Sequence, residues 1–343
     1  MSNLTLPKDN ITIVLTRSIL FGPVSVAPLL IFLYINGVVL FTLRSKPVFR
    51  ETPRYVLLYN LIFSDTFQLA VGQLLYILAY VYVFMIRYLC VIIIMSAMLT
   101  TDISPYNLAV MSLERYVAVC FPLRHSAFVT AKNTGVSIAV VWAICGINTI
   151  IRIFMLILLE SSPLDQYMLG FCAKETLYKQ KLFYDFDKAF TGVTFTSVGI
   201  VILCSYFGVM TAAKSASSDK ASTSKAKKTV VLHMIQLLLI LSSTLFSPIV
   251  TAFSYKVDRP TLERIYYILF LCLVNLPRCL SGLIYGLRDQ TIRPFLLYHL
   301  SFVGILMTEI SPYNLAVMSL ERYVAVCFPL RHSAIVTIKN TGV

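Results

Sequence analysis

Residues Tyr88–Val119 read YLCVIIIMSAMLTTDISPYNLAVMSLERYVAV, and the charges among them are Asp102, Glu114 and Arg115. About 20 consecutive apolar residues carry an α-helix through the hydrocarbon core of a bilayer, so this stretch reads as a membrane span. Working outward from it, further blocks of that kind run over Ser18–Leu43, Tyr55–Ala79, Gly135–Leu159, Ala189–Ala213, Thr229–Phe253 and Leu262–Gly286. The expected fold is an all-α membrane protein, a bundle of seven transmembrane helices over residues 18–286. Composition agrees: of 343 residues, 58% are hydrophobic and 13% charged, about half the charge share of a soluble protein. The long apolar runs exclude a soluble core. They also exclude a nucleic-acid binder, despite a net charge of +13. No cofactor, metal or catalytic group is expected.

Charge sets the expected orientation. Arg44, Lys46, Arg50 and Arg54 gather in the first connection, and Lys214, Lys220, Lys225, Lys227 and Lys228 in the third. The segment Glu160–Lys188 instead mixes acids with lysines. By the positive-inside rule the first and third connections are cytosolic. The sequons Asn3-Leu4-Thr5 and Asn10-Ile11-Thr12 both precede the first span, and glycans are added only in the lumen. Residues 1–17 are therefore expected outside, with Asn3 and Asn10 as glycosylation sites. The first block is too long for the apolar part of a signal peptide and reads as an uncleaved anchor. Basic residues beside membrane helices serve topology and headgroup contact first; only Lys225–Lys228 also reads as a partner surface.

Most of the eight cysteines sit within apolar blocks, as small hydrophobes do. Cys90 lies at the outer end of the third span and Cys172 in the second outer connection, where an oxidising lumen allows them to pair. Twenty-five residues separate Cys90 from Arg115, ~37 Å of helix, which puts Glu114 and Arg115 at the cytosolic mouth. Two readings of that arginine stand level: a latch that swaps partners between two states, or an interfacial charge that anchors the helix.

The run Leu113-Glu-Arg-Tyr-Val-Ala-Val-Cys-Phe-Pro-Leu-Arg-His125 resembles the helix 3 signature of odorant receptors in the rhodopsin-like class of G protein-coupled receptors. The resemblance extends over about Asn36 to Arg293. It takes in Asn36-Gly37, Pro53-Arg-Tyr55, Asp65, Trp142, Ser205-Tyr206, Lys225–His233 and Leu283–Asp289, and its details look more like fish members than mammalian ones. It implies that Cys90–Cys172 is the shared disulfide and that residues 287–300 form a short amphipathic eighth helix inside the cell. It also implies that Glu114, Arg115, Tyr116, Tyr206 and Tyr285 belong to the switch and to G protein coupling. The partners implied are a small-molecule odorant outside and an olfactory stimulatory heterotrimeric G protein inside, raising cAMP from the plasma membrane. This chain departs from the family pattern in helix 7, where Ser281-Gly282 replaces the usual Asn-Pro and the nearest proline is Pro277. The helix 7 kink is thus expected about one turn further out. Helix 5 has no proline, and the sixth block has Pro248 alone.

Ionisable residues inside a membrane are functional candidates by default. Asp65 and Arg278 each lie ten residues from the cytosolic end of their helices, ~15 Å deep. Relatives use the helix 2 aspartate to help hold a sodium ion; here Arg278 is expected to bridge Asp65 directly, or else to bond backbone carbonyls freed by Pro277. Asp102, ~18 Å below Cys90, has three readings. It meets a cationic odorant, pairs with Arg152, or is protonated and bonded to Thr101 or Ser104; a structural role is favoured. The remaining pocket is expected from Ala97, Met98, Thr101, Phe190, Thr191, Thr194, Leu241, Thr244, Leu245, Tyr267 and Leu271, an apolar lining with a few hydroxyls that suits small, weakly polar ligands.

Finally, Thr101–Val136 recurs as Thr308–Val343 with three changes, Asp102/Glu309, Phe128/Ile335 and Ala131/Ile338. An eighth crossing there would put Arg322, Arg331 and Lys339 outside, against the charge rule. Residues 301–343 read as a duplicated fragment joined by gene fusion or a gene-model error; the alternative is a tail lying on the bilayer. A secondary transporter is the competing class, but transporter repeats are inverted and complete, whereas this one is direct, terminal and partial. A decayed, non-signalling receptor copy also fits the sequence.

Overall fold

The computed structural model describes residues 29–80, 85–125, 129–159, 172, 174–178, 180–215, 231–232, 234–243, 246, 249–250, 253, 257, 261, 265 and 268–302. Asn3, Asn10, Thr244, Leu245 and Tyr267 lie outside the described residues, as do the basic run Lys225–Lys228 and the repeat copy Thr308–Val343.

The elements are α1 (Leu29–Ser45), α2 (Pro47–Glu51), α3 (Pro53–Tyr80), α4 (Arg87–Cys120), α5 (Ala131–Leu159), α6 (Lys174–Leu177) and α7 (Lys181–Ser215). Residues 234–242 form α8, Leu276–Arg288 form α9 and residues 293–302 form α10. Five helices among the described residues are long and apolar enough to cross a membrane; α1 is apolar but shorter. Pro47 opens α2 and Pro53 opens α3, where the missing N–H costs nothing because the first helical turn has no acceptor for it.

Hydroxyls inside these apolar helices bond to their own backbone. Thr42 donates to the Val38 carbonyl, Thr66 to Ile62, Thr149 to Cys145 and Ser205 to Val201, at 2.6–2.9 Å. This bonding lets a polar residue sit in a low-dielectric environment without an orphaned donor.

The long helix α4 is the centre of the bundle, packed by α3, α5 and α7. Leu57, Leu61, Leu108, Ile202, Val209, Leu237 and Tyr285 make a common core from α3, α4, α7, α8 and α9. Gly208 of α7 lets the Tyr116 ring lie against the backbone, leaving no room for a Cβ. Outward, α5 exposes Ile147, Ile150, Phe154, Ile157 and Leu158. A stripe of that size would be a liability in water and is the face that lipid covers.

The seventh block departs from a simple kink. Residues Phe270–Asn275 form a π-helix, and the Leu276 N–H reaches back five residues to the Leu271 carbonyl. Pro277 stands at the start of α9. Since proline offers no N–H to the turn before it, the wider register reassigns the bonds there, a common device at such breaks. After α9 ends at Arg288, Asp289 accepts the Thr291 and Ile292 N–H groups and starts α10. The short helix therefore begins at residue 293, later than residue 287.

Candidate functional site

Two polar assemblies sit inside the bundle at different heights. One lies towards the end carrying Cys90 and Cys172, here called the disulfide end; the other lies nearer the middle. A third group marks the opposite, Arg115 end.

At the disulfide end Cys90 and Cys172 are joined, with Cα atoms 5.6 Å apart. The bond brings α6 over the top of α4, where the Leu177 carbonyl accepts from Arg87 at 3.4 Å. Beneath it the side chains form an alternating chain of charge. Asp102 of α4 accepts from Arg152 of α5 at 2.6 Å and from Asn148 at 2.8 Å. Arg152 reaches on to Asp187 of α7 at 2.9 Å, and Asp187 is paired with Lys174 of α6 at 2.5 Å. The Arg152 guanidinium also lies 5.5 Å from the Phe190 ring centre. Tyr178 donates to the Arg152 backbone carbonyl at 3.1 Å and stacks on Phe183. Burial pushes the Tyr178 phenol above its usual range, so it stays a donor.

Of the protein partners read for Asp102, the structure places Arg152 beside it. Thr101 donates instead to the Ala97 carbonyl, and Ser104 to Asp65. Among the other expected pocket residues, Ala97 and Thr194 are buried, and Thr194 shares a 3.0 Å hydrogen bond with Tyr106. Met98, Thr101, Phe190, Thr191 and Leu271 are half-buried, and Leu241 is 36% exposed.

The middle assembly centres on Asp65, whose side chain is 1% exposed. Arg278 donates to it at 3.3 Å, Ser104 at 2.7 Å and Ser281 at 2.6 Å. Helices α3, α4 and α9 thus meet on one carboxylate. Ser281 occupies the usual asparagine position and supplies a hydroxyl, while Gly282 occupies the proline position. The Asn36 amide of α1 fills the space where a Cβ at Gly282 would stand. Next to this knot Asn60 donates to Asn107 at 2.9 Å and accepts from Trp142 at 3.0 Å, tying α3, α4 and α5.

At the Arg115 end, Arg115 lies 3.3 Å from Glu114, and Glu114 lies 3.8 Å from the His125 ring. Tyr116 packs on Gly208, and Tyr206 packs at the edge of the common core. Tyr285 donates to Gln236 at 2.5 Å, linking α9 to α8. Asp289 accepts from Tyr55 at 3.0 Å and lies 3.5 Å from Arg54, which puts the first connection and the end of α9 on one face.

Sequence reasoning missed Asp187, Lys174, Asn148, Ser281 and Gln236 as partners. Gln236 carried a signal, being a lone amide within an apolar run. Asp187 was read as loop because a charge interrupts the apolar block, yet α7 begins at Lys181.

The bundle of long apolar helices, with charges paired in its interior and a disulfide at one end, is that of a membrane-spanning helical protein. The family model described as "7 transmembrane receptor (rhodopsin family)" matches residues 35–285. The chain is 32% identical over 280 residues to "Odorant receptor 131-2" of Danio rerio, covering 80% of this chain and 84% of that one. It is 23% identical over 198 residues to "Olfactory receptor 4M1" of Mus musculus, covering 55% and 59%. The chain belongs to the odorant receptors of the rhodopsin family, multi-pass proteins of the plasma membrane.

Proposed function

We propose that this chain binds small organic ligands at the disulfide end, facing outside, and activates an olfactory stimulatory heterotrimeric G protein at the Arg115 end to raise cAMP. The N-terminus lies outside in this reading, with Asn3 and Asn10 glycosylated and α10 on the cytosolic side. The observation that carries the coupling is Arg115 itself. It is half-buried at a helix end and held by the neighbouring Glu114 at 3.3 Å. A charge at a helix end, beside a carboxylate of its own helix, can change partners when α4, α7 and α8 shift. Asp65–Arg278 in this reading braces α3 against α9, and Cys90–Cys172 holds the α6 segment over the ligand entrance.

The test is a cAMP assay over an odorant panel in cells expressing the full chain. Arg115→Ala is expected to abolish the response while leaving the surface level within about twofold, the response depending on this residue and not the fold. A transporter would give ligand uptake without cAMP, and uptake unaffected by Arg115→Ala would overturn the receptor reading.

A further inference from the structure

We propose that Asp187 is the anchoring carboxylate of a binding site for primary alkylammonium ligands, which the chain's own Lys174 occupies at rest. This names a ligand class for the receptor reading and rests on it for access from outside.

The argument begins with what Lys174 is, a primary ammonium on a four-carbon stem. Its Nζ sits 2.5 Å from Asp187 Oδ2 and 5.7 Å from the Phe183 ring centre. Phe183 is itself stacked on Tyr178, with the rings 9° apart. A half-buried carboxylate beside aromatic faces is the environment that recognises an alkylammonium ion. The structure thus displays such a group bound, supplied by the chain.

Exposure decides which member of the chain of charges gives way. Lys174 is 31% exposed, Asp187 16% and Arg152 2%. Arg152 already holds Asp102 and Asp187, so a ligand carboxylate would have to break two buried ion pairs to reach it. A ligand ammonium has only to replace the exposed lysine. Charge gives the same answer. Asp102, Arg152, Asp187 and Lys174 sum to zero; exchanging one ammonium for another preserves that sum, and adding an anion does not. Buried ions tolerate such an exchange only when they stay paired.

Nor is Lys174 needed to hold its segment. Cys172, two residues before it, is fixed by the disulfide, and the Leu177 carbonyl, three residues after it, is held by Arg87. Its remaining effect on the site is competition. A group tethered by a short segment acts at an effective concentration of order millimolar, so an alkylamine must outcompete it.

The experiment uses the purified full chain in detergent and reads the unfolding midpoint against concentration of n-hexylamine or n-hexanol. In Lys174→Met the amine concentration giving half the stabilisation is expected to fall on the order of tenfold relative to the parent chain. The n-hexanol curves of the two proteins are expected to coincide. Asp187→Asn in the Lys174→Met background is expected to remove the amine effect. Should that double variant not fold, the contrast between amine and alcohol in Lys174→Met decides alone. Unchanged amine curves, or equal sensitisation to n-hexanol, overturn the site. A Lys174→Met chain stabilised by amine but raising no cAMP keeps the site and sinks the receptor reading. An odorant-driven cAMP response without amine sensitisation does the reverse.

Discussion

The two buried charge assemblies use similar residues and differ in their connection to water. Asp65 and Arg278 are 1% and 2% exposed, and the Asp65 carboxylate takes its remaining bonds from Ser104 and Ser281. The chain from Asp102 to Lys174 instead opens outward, from an arginine 2% exposed to a lysine 31% exposed. A closed pair of buried ions has no exchange partner and ties together the helices that carry it. An open chain can trade its last member with a ligand. Burial of charge alone therefore does not distinguish a brace from a binding site; the path to solvent does.

Substitutions can break this comparison. Arg278→Gln leaves Asp65 without its counter-charge and is expected to cost about 3–5 kcal/mol. It should appear as loss of most surface-labelled receptor, with Asp65→Asn/Arg278→Gln restoring a large part. Normal surface levels for the single variant would make the middle assembly dispensable.

Arg152→Gln is expected to cost less, about 1.5–3 kcal/mol, because Asn148 still serves Asp102 and Lys174 still serves Asp187. Surface labelling should stay above that of Arg278→Gln while the odorant-driven cAMP response falls. If both variants lose surface expression equally, the contrast between brace and site collapses.

Smallest is Ser281→Ala, which removes one of three donors to Asp65. Hydrogen bonds between membrane helices average about 0.6 kcal/mol, so a lowering of the unfolding midpoint by a few degrees in detergent, with signalling kept, is expected. A larger loss would mean that Ser281 carries the usual asparagine's role as well as its position.

The helices were legible where their pattern was continuous. The block Tyr88–Val119 became Arg87–Cys120, and Gly135–Leu159 became Ala131–Leu159. The start of α7 was not, because Asp185 and Asp187 look like loop residues until Arg152 and Lys174 are placed beside them in space. The same limit applies to Asp102, whose pairing with Arg152 is one of several readings in the sequence and is seen only in space. For Arg278 the sequence leaves two readings, a bridge to Asp65 or bonds to carbonyls freed by Pro277; equal depth on helices the family makes neighbours favours the bridge, and the structure shows it. The π-turn before Pro277 was not, as periodicity does not distinguish a displaced kink from a wider register.

The pair formed by Asp65 and Arg278 joins residues 213 apart in sequence, and this has a consequence for how the chain is made. Each helix enters the membrane alone during synthesis, and an arginine at its centre opposes insertion by ~2.5–3.5 kcal/mol. The segment around Arg278 emerges last and finds its counter-ion already waiting in the second helix. Retention of the final span is thereby conditional on an early one, so a nascent chain that has lost its second helix holds its seventh poorly and exposes the fault to quality control.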